Sequence, residues 1–264
     1  MKLATLSNPL LYLILALLCI SSIGCGPNFG EKLVVKKTEI YYKDGATKAD
    51  AQRLGEVLER LRFIDGKRKS VQLLKRDDVW EFRIAVGKVA DSEVIKQKMK
   101  LYCLELSGGC FDGETVEVHI CNRKLESKSV VKGLRGKRHQ LEKSVYYYED
   151  VTLEQVLDFS AIPYATQLDP GVEMSYHLSQ SGDVIEIRAV HPNADDKLVA
   201  GPANDTAVAT SNKVFSGKQV DVLICDPFFT EKSVYSSVKK AAATPARWFN
   251  SLVRLTTLRR SESG

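Results

Sequence analysis

Glu81 and Arg83, two apart in Trp80-Glu-Phe-Arg83, return as Glu186 and Arg188 in Ile185-Glu-Ile-Arg188. Residues two apart on a strand point the same way, so each pair either offers a charged patch to a ligand or makes a cross-strand ion pair on a half-exposed sheet. These four are the candidate ligand-facing residues. His119 and Cys121 also share one strand face and invite a metal reading. A closed zinc site takes four ligands, however, and the second copy of the phrase has Leu223 where His119 stands. No metal and no cofactor is expected. His139, His177 and His191 stand in unrelated contexts, and the chain has no nucleophile elbow, phosphate loop or HExxH motif. No catalytic residue is expected.

The charged pairs belong to a longer repeat. Phe111-Asp-Gly-Glu-Thr-Val-Glu-Val-His-Ile-Cys121 recurs as Phe215-Ser-Gly-Lys-Gln-Val-Asp-Val-Leu-Ile-Cys225. Each reads as a glycine turn feeding a strand of alternating apolar residues. Ile40-Tyr41-Tyr42 returns as Val145-Tyr146-Tyr147 and Thr47 as Thr152, both at an offset of 105, whereas the Phe111 phrase returns at 104. One net deletion across so many matches indicates a duplicated domain.

Within the first copy, a strand from Leu33 ends in Tyr41-Tyr42, and Thr47-Lys-Ala-Asp50 is an N-cap pattern. Leu54, Val57, Leu58 and Leu61 follow at helical spacing, up to Asp65-Gly66. Ser70 to Leu74 and Val79 to Val86 read as strands, with Trp80, Phe82 and Ile84 opposite Glu81 and Arg83. A helix from Ser92 to Leu106 is expected to stop at Gly108-Gly109. Ser129-Val130-Val131 is a candidate short extra strand. In the second copy Pro163 curtails the first helix, Val172 to Leu178 and Val184 to Val190 alternate as strands, and Gly201-Pro202 predicts a broken or very short second helix. The order matches the split βαβ arrangement. The expected fold is therefore α+β, two tandem ferredoxin-like βαββαβ repeats, the second with degenerate helices.

Lys2 and the apolar run from Leu10 to Ile23 have the layout of a signal peptide. Ser22-Ile23-Gly24-Cys25 resembles a bacterial lipoprotein cleavage box, which implies lipidation of Cys25 and membrane attachment through its acyl chains. An ordinary signal cut nearby and an uncleaved anchor are the alternatives. The expected division is a signal peptide at 1–24, a lipidated tether at 25–32, the first repeat at 33–131, a basic linker at 132–143, the second repeat at 144–237 and a basic tail at 238–264. In that tail Trp248, Phe249, Leu252, Leu255 and Leu258 make an amphipathic helix that docks on a repeat or lies on an anionic membrane, docking being favoured.

Cys103, Cys110, Cys121 and Cys225 remain outside the leader. Cys103 and Cys110 are roughly 10 Å apart along an unbroken helix and could bridge only if Gly108-Gly109 turned the chain back. Cys121 and Cys225 occupy the same place in the two copies, where free packed thiols are favoured. A composition of 44% hydrophobic and 27% charged residues is that of globular protein, and a net charge of +5 over 264 residues is too dispersed to choose a polyanionic partner. An RNA-recognition sheet would stack bases on Tyr41 or Tyr42, Trp80 and Phe82, but Trp80 and Phe82 alternate with charges as core residues do, so no nucleic acid is expected.

Ser70-Val-Gln-Leu73, Trp80-Glu-Phe-Arg83 and the Phe111–Cys121 phrase resemble a family of uncharacterised bacterial membrane-associated proteins and lipoproteins with an FDG-x-x-VEVH-[LI]-C signature. The resemblance covers residues 26–131 well and the second copy loosely. It implies a bacterial, envelope-facing protein and names no activity. The reading is an exported, lipid-anchored envelope protein serving as a non-catalytic binding or assembly module for an unknown envelope protein or small ligand. The alternative is an envelope enzyme with a cleft between the repeats that uses His119, His177, Glu81 and Arg83.

Overall fold

A computed structural model describes residues 28–86, 92–194 and 197–238. The signal segment with Cys25, and the amphipathic tail beyond Val238, lie outside them. The chain divides into two compact units. The first comprises residues up to Ser92 together with Glu117–Val131, and the second Glu93–Val116 with the chain from Lys132.

The first sheet has six strands in chain order: β1 (Glu31–Val35), β2 (Thr38–Lys43), β3 (Lys69–Arg76), β4 (Val79–Ala85), β5 (Thr115–Cys121) and β6 (Ser127–Lys132). Helix α1 (Lys48–Arg60) crosses from β2 to β3, which pair directly in parallel. α1 starts because Thr47 Oγ1 accepts from the Asp50 amide while the Asp50 carboxylate accepts from the Thr47 amide, which satisfies two donors that the helix start leaves open. Leu54, Val57 and Leu58 are buried, on the expected stripe. The helix closes at Leu61, before Asp65-Gly66. Ile40, Leu73 and Phe82 are fully buried, and Glu81 and Arg83 face away from Phe82 because strand side chains alternate. The single strand expected up to Tyr42 is a hairpin of β1 and β2, turned at Lys36 with φ 53°.

The second sheet repeats the order with β7 (Lys137–Leu141), β8 (Ser144–Glu149), β9 (Ser175–Ser181), β10 (Val184–Val190), β11 (Gln219–Cys225) and β12 (Glu231–Ser236). Its helices are α3 (Leu153–Ser160), a turn α4 (Ile162–Ala165) opened by Pro163, and α5 (Ala200–Lys213). α2 (Glu93–Cys110) also belongs to this unit by contact. One face of the sheet packs Tyr146, Tyr176, Ile185, Ile187 and Val222 against Phe159, Ala203 and Ala207. On the other face Leu104 of α2 packs with Val145, Tyr147 and Phe229.

Both sheets are mixed and the class is α+β, but the strands lie in sequence order. A ferredoxin-like sheet interleaves another strand between those that a helix joins. Here β2 and β3, β8 and β9, and β10 and β11 pair directly in parallel. Other departures from the sequence reading have local causes. Lys137–Leu141, inside the stretch expected to be a linker, is an edge strand whose charged residues suit an unpaired rim. α2 runs through Gly108-Gly109, because at Gly108 the missing side chain lets the β7 region touch the helix. A Cβ there would stand 2.8 Å from Gly136 O and 2.8 Å from Arg138 Cβ. α5 is whole, since Pro202 lies in its first turn, where amides have no intrahelical partner.

The tyrosine doublets also shift by one. Ile40 pairs with Val71, and Tyr146 with Tyr176. Since Val71 and Tyr176 are counterparts at 105, Ile40 answers to Tyr146 at 106. Offsets of 106, 105 and 104 along the unit mean that each helical crossover of the second unit is one residue shorter.

Candidate functional site

Glu81 and Arg83 lie on the face of the first sheet opposite Phe82. Arg83 donates twice to Glu81 Oε2, from Nη2 at 2.7 Å and Nε at 3.0 Å, and from Nη1 to Leu125 O at 3.4 Å. Arg76 Nη1 stands 3.3 Å from the other Glu81 oxygen. Glu81 is 7% exposed and both its oxygens are engaged by arginines, while the Arg76 side chain keeps 54% exposure. Because β5 follows β4 in the sheet, His119 joins it. His119 Nε2 is 3.8 Å from Glu81 Oε2 and 3.7 Å from Glu117 Oε2, and Nδ1 meets Ser127 Oγ at 3.1 Å.

Burial is the main influence on His119 and lowers its affinity for a proton. Glu81 and Glu117 oppose this, while Arg83 and Arg76 add to it, and the ring is held below its ordinary pKa. The neutral ring makes no hydrogen bond from Nε2. Among the described residues no group of His, Cys, Asp and Glu is arranged to hold a metal ion. Cys121, on the same face, is a free thiol that burial pushes up to about 11.

In the second unit Arg188 Nη2 donates to Glu186 Oε2 at 2.8 Å. Here the pair is held less completely. Glu186 keeps 35% of its side-chain exposure, and the other hydrogen-bonding neighbour of the Arg188 guanidinium is the Cys225 thiol. Leu223 and Cys225 take the places of His119 and Cys121 and are buried, with the Cys225 thiol pushed up to about 12 by burial. Cys103 and Cys110 form no disulfide either.

His177 lies opposite Arg188 across β9 and β10. Its Nε2 bonds Arg135 O at 2.8 Å, and since a carbonyl only accepts, Nε2 carries the hydrogen and Nδ1 carries none. Burial keeps this ring neutral too. Its counterpart at 105 is Gln72, whose Nε2 donates to Phe29 O at 2.8 Å. In both units a buried side chain thus ties down the chain ahead of the first strand. Glu81, Arg83 and His119 therefore meet in the first unit, and Glu186, Arg188 and His177 share a face in the second.

Reasoning from sequence missed two features. Asn122 and Asp226, which answer to each other at 104, build the same turn. Asn122 Oδ1 accepts from Lys124 N at 2.9 Å and Glu126 N at 3.1 Å, and Asp226 Oδ1 from Phe228 N at 2.9 Å and Thr230 N at 3.0 Å. Leu125 and Phe229 then take φ of 59° and 58°. The shared offset was the available signal. The second feature is a cavity of about 290 Å³ in the second unit, where α2, the segment Lys132–Leu134 and the Asp226 turn meet Arg188. Its walls are distant in sequence, and no spacing marks them.

A family model described as AF_1994_N family N-terminal domain matches residues 32–133. No curated protein and no solved structure matches the chain. What the comparisons add is that the stretch holding Glu81, Arg83, Glu117 and His119 is similar to the N-terminal domain of that family.

Proposed function

We propose that the chain is an exported bacterial envelope protein, anchored by acyl chains on Cys25, whose units arose by tandem duplication and act as a non-catalytic binding or assembly module. The observation that carries this is the second-unit cavity. Its lining has apolar side chains and the cations Lys100, Lys132 and Arg188, but no carboxylate, histidine or cysteine. Such a lining can hold a ligand and supplies no carboxylate, imidazole or thiol to act as base or nucleophile. In the first unit, Glu81 is engaged by two arginines and His119 is buried, which supports a structural part for them.

The test is the intact mass of the mature protein extracted from membranes of a bacterial host. A chain beginning at Cys25 with added acyl mass is expected. A chain cut elsewhere without lipid, or one retaining residues 1–24, overturns the anchor.

A further inference from the structure

The duplication provides an internal control for Arg188. Arg83 uses Nε, Nη1 and Nη2, all within its own unit. Arg188 bonds Glu186 through Nη2 and otherwise has only the Cys225 thiol, a weak hydrogen-bonding group, although it occupies the corresponding place on the corresponding strand. Because Arg188 lines the cavity, its guanidinium offers a ligand anion a charge-assisted hydrogen bond, stronger than one between neutral groups. Beside this guanidinium lies the cavity walled by Leu101, Leu104, Leu134, Phe228 and Phe229, with Lys100 and Lys132 exposed at its edge. At about 290 Å³ it lies just below the usual range of small-ligand sites, roughly 300–1,000 Å³, with room for one short chain.

Its walls are fixed. A Cβ on Gly133 would stand 2.6 Å from Lys100 O and 2.7 Å from Cys103 Cβ, so only glycine lets this segment lie against α2. Phe229 is held at φ 58° by the Asp226 turn and meets the Tyr147 ring edge-on, with centroids 6.1 Å apart. The structure thus sets an apolar chain's length of wall beside three cations, with no acidic residue among the lining.

We propose that this cavity binds a small amphipathic carboxylate, its short alkyl chain on the leucines and phenylalanines and its carboxylate at Arg188 and the lysine rim. This rests on the binding-module reading and supplies its ligand class. The test is calorimetric titration of the full chain with sodium octanoate, octan-1-ol and inorganic phosphate. Octanoate is expected to saturate one site, with octanol and phosphate each at least about tenfold weaker, as loss of a charge-assisted contact or of the apolar wall implies. Arg188→Gln should weaken octanoate about tenfold. Lys100→Gln, at the exposed rim and harmless to folding, should weaken it about two- to fivefold, while Lys67→Gln in the first unit leaves it unchanged.

Equal binding of octanol, equal binding of phosphate, equal loss in Lys67→Gln and Lys100→Gln, or no octanoate binding would each overturn the proposal. The anchor is read from acyl mass on Cys25 and does not depend on these titrations. Failure here therefore removes the ligand class alone.

Discussion

The Tyr147 hydroxyl donates to Glu105 Oε1 across 2.7 Å, joining β8 to α2 within the second unit. Tyr147 is 1% exposed, and burial first, then Glu105, pushes its phenol far above the ordinary value, so it remains a donor at any working pH. Tyr147→Phe removes the donor and keeps the ring. The expected cost is about 1–2 kcal/mol, read as a fall of several degrees in melting temperature. Glu105→Gln, which keeps an acceptor, should lose less. An unchanged melt of the Phe variant would show that the bond contributes nothing net.

Stability should depend on pH through His119 and His177. Both rings are held below their ordinary pKa, chiefly by burial, so below about pH 6.5 the unfolded chain binds protons that the folded chain refuses. Folding is therefore favoured above that pH and loses free energy as pH falls, by at most about 1.4 kcal/mol per unit for each ring. Denaturant midpoints should drop between pH 7.5 and 5.5, and His119→Gln should flatten part of the slope. A midpoint that rises on acidification would contradict the sign.

Two glycines of the second unit should answer differently to alanine. Gly133→Ala places a Cβ against the α2 backbone and Cys103 and should destabilise by about 1–3 kcal/mol. Gly201, in the first turn of α5, has nothing within 4 Å of where a methyl group would stand apart from its chain neighbours, but the Pro202 ring that follows disfavours a Cβ on a helical residue before it, which offsets the helix-propensity gain, so Gly201→Ala should change stability by less than about 1 kcal/mol. Chemical denaturation of the two variants checks the contrast.

Cys121 and Cys225 should resist alkylation. Their thiols are buried and pushed up to about 11 and about 12, so almost no thiolate exists at pH 8. Peptide mass mapping after iodoacetamide should find them unmodified in the folded chain and labelled in denaturant. Labelling without denaturant would mean that these strands open readily.

The local signals in the sequence proved legible where one residue type enforces one geometry. Thr47 and Thr152 cap their helices, Trp80 and Phe82 point opposite Glu81 and Arg83, and Gly113 and Gly217 supply left-handed turns at φ 90° and 84°. Signals with two physical uses misled. Gly108 serves close packing as well as helix ends, and Pro202 serves a helix's first turn as well as its interruption. Strand order lies beyond periodicity altogether, and it decides the site. His119 stands beside Glu81 because β5 follows β4 in the sheet. The cavity at Arg188 was less legible still, because α2 reaches it from a distant part of the chain.

That placement of α2 bears on how the protein is made. Glu105 leaves the ribosome 42 residues ahead of Tyr147, so the helix emerges well before β8 exists to receive it. A nascent chain halted after the first repeat would carry Leu101 and Leu104 without the Tyr147 and Phe229 surface they pack on. Such an intermediate is a natural client for a holding chaperone.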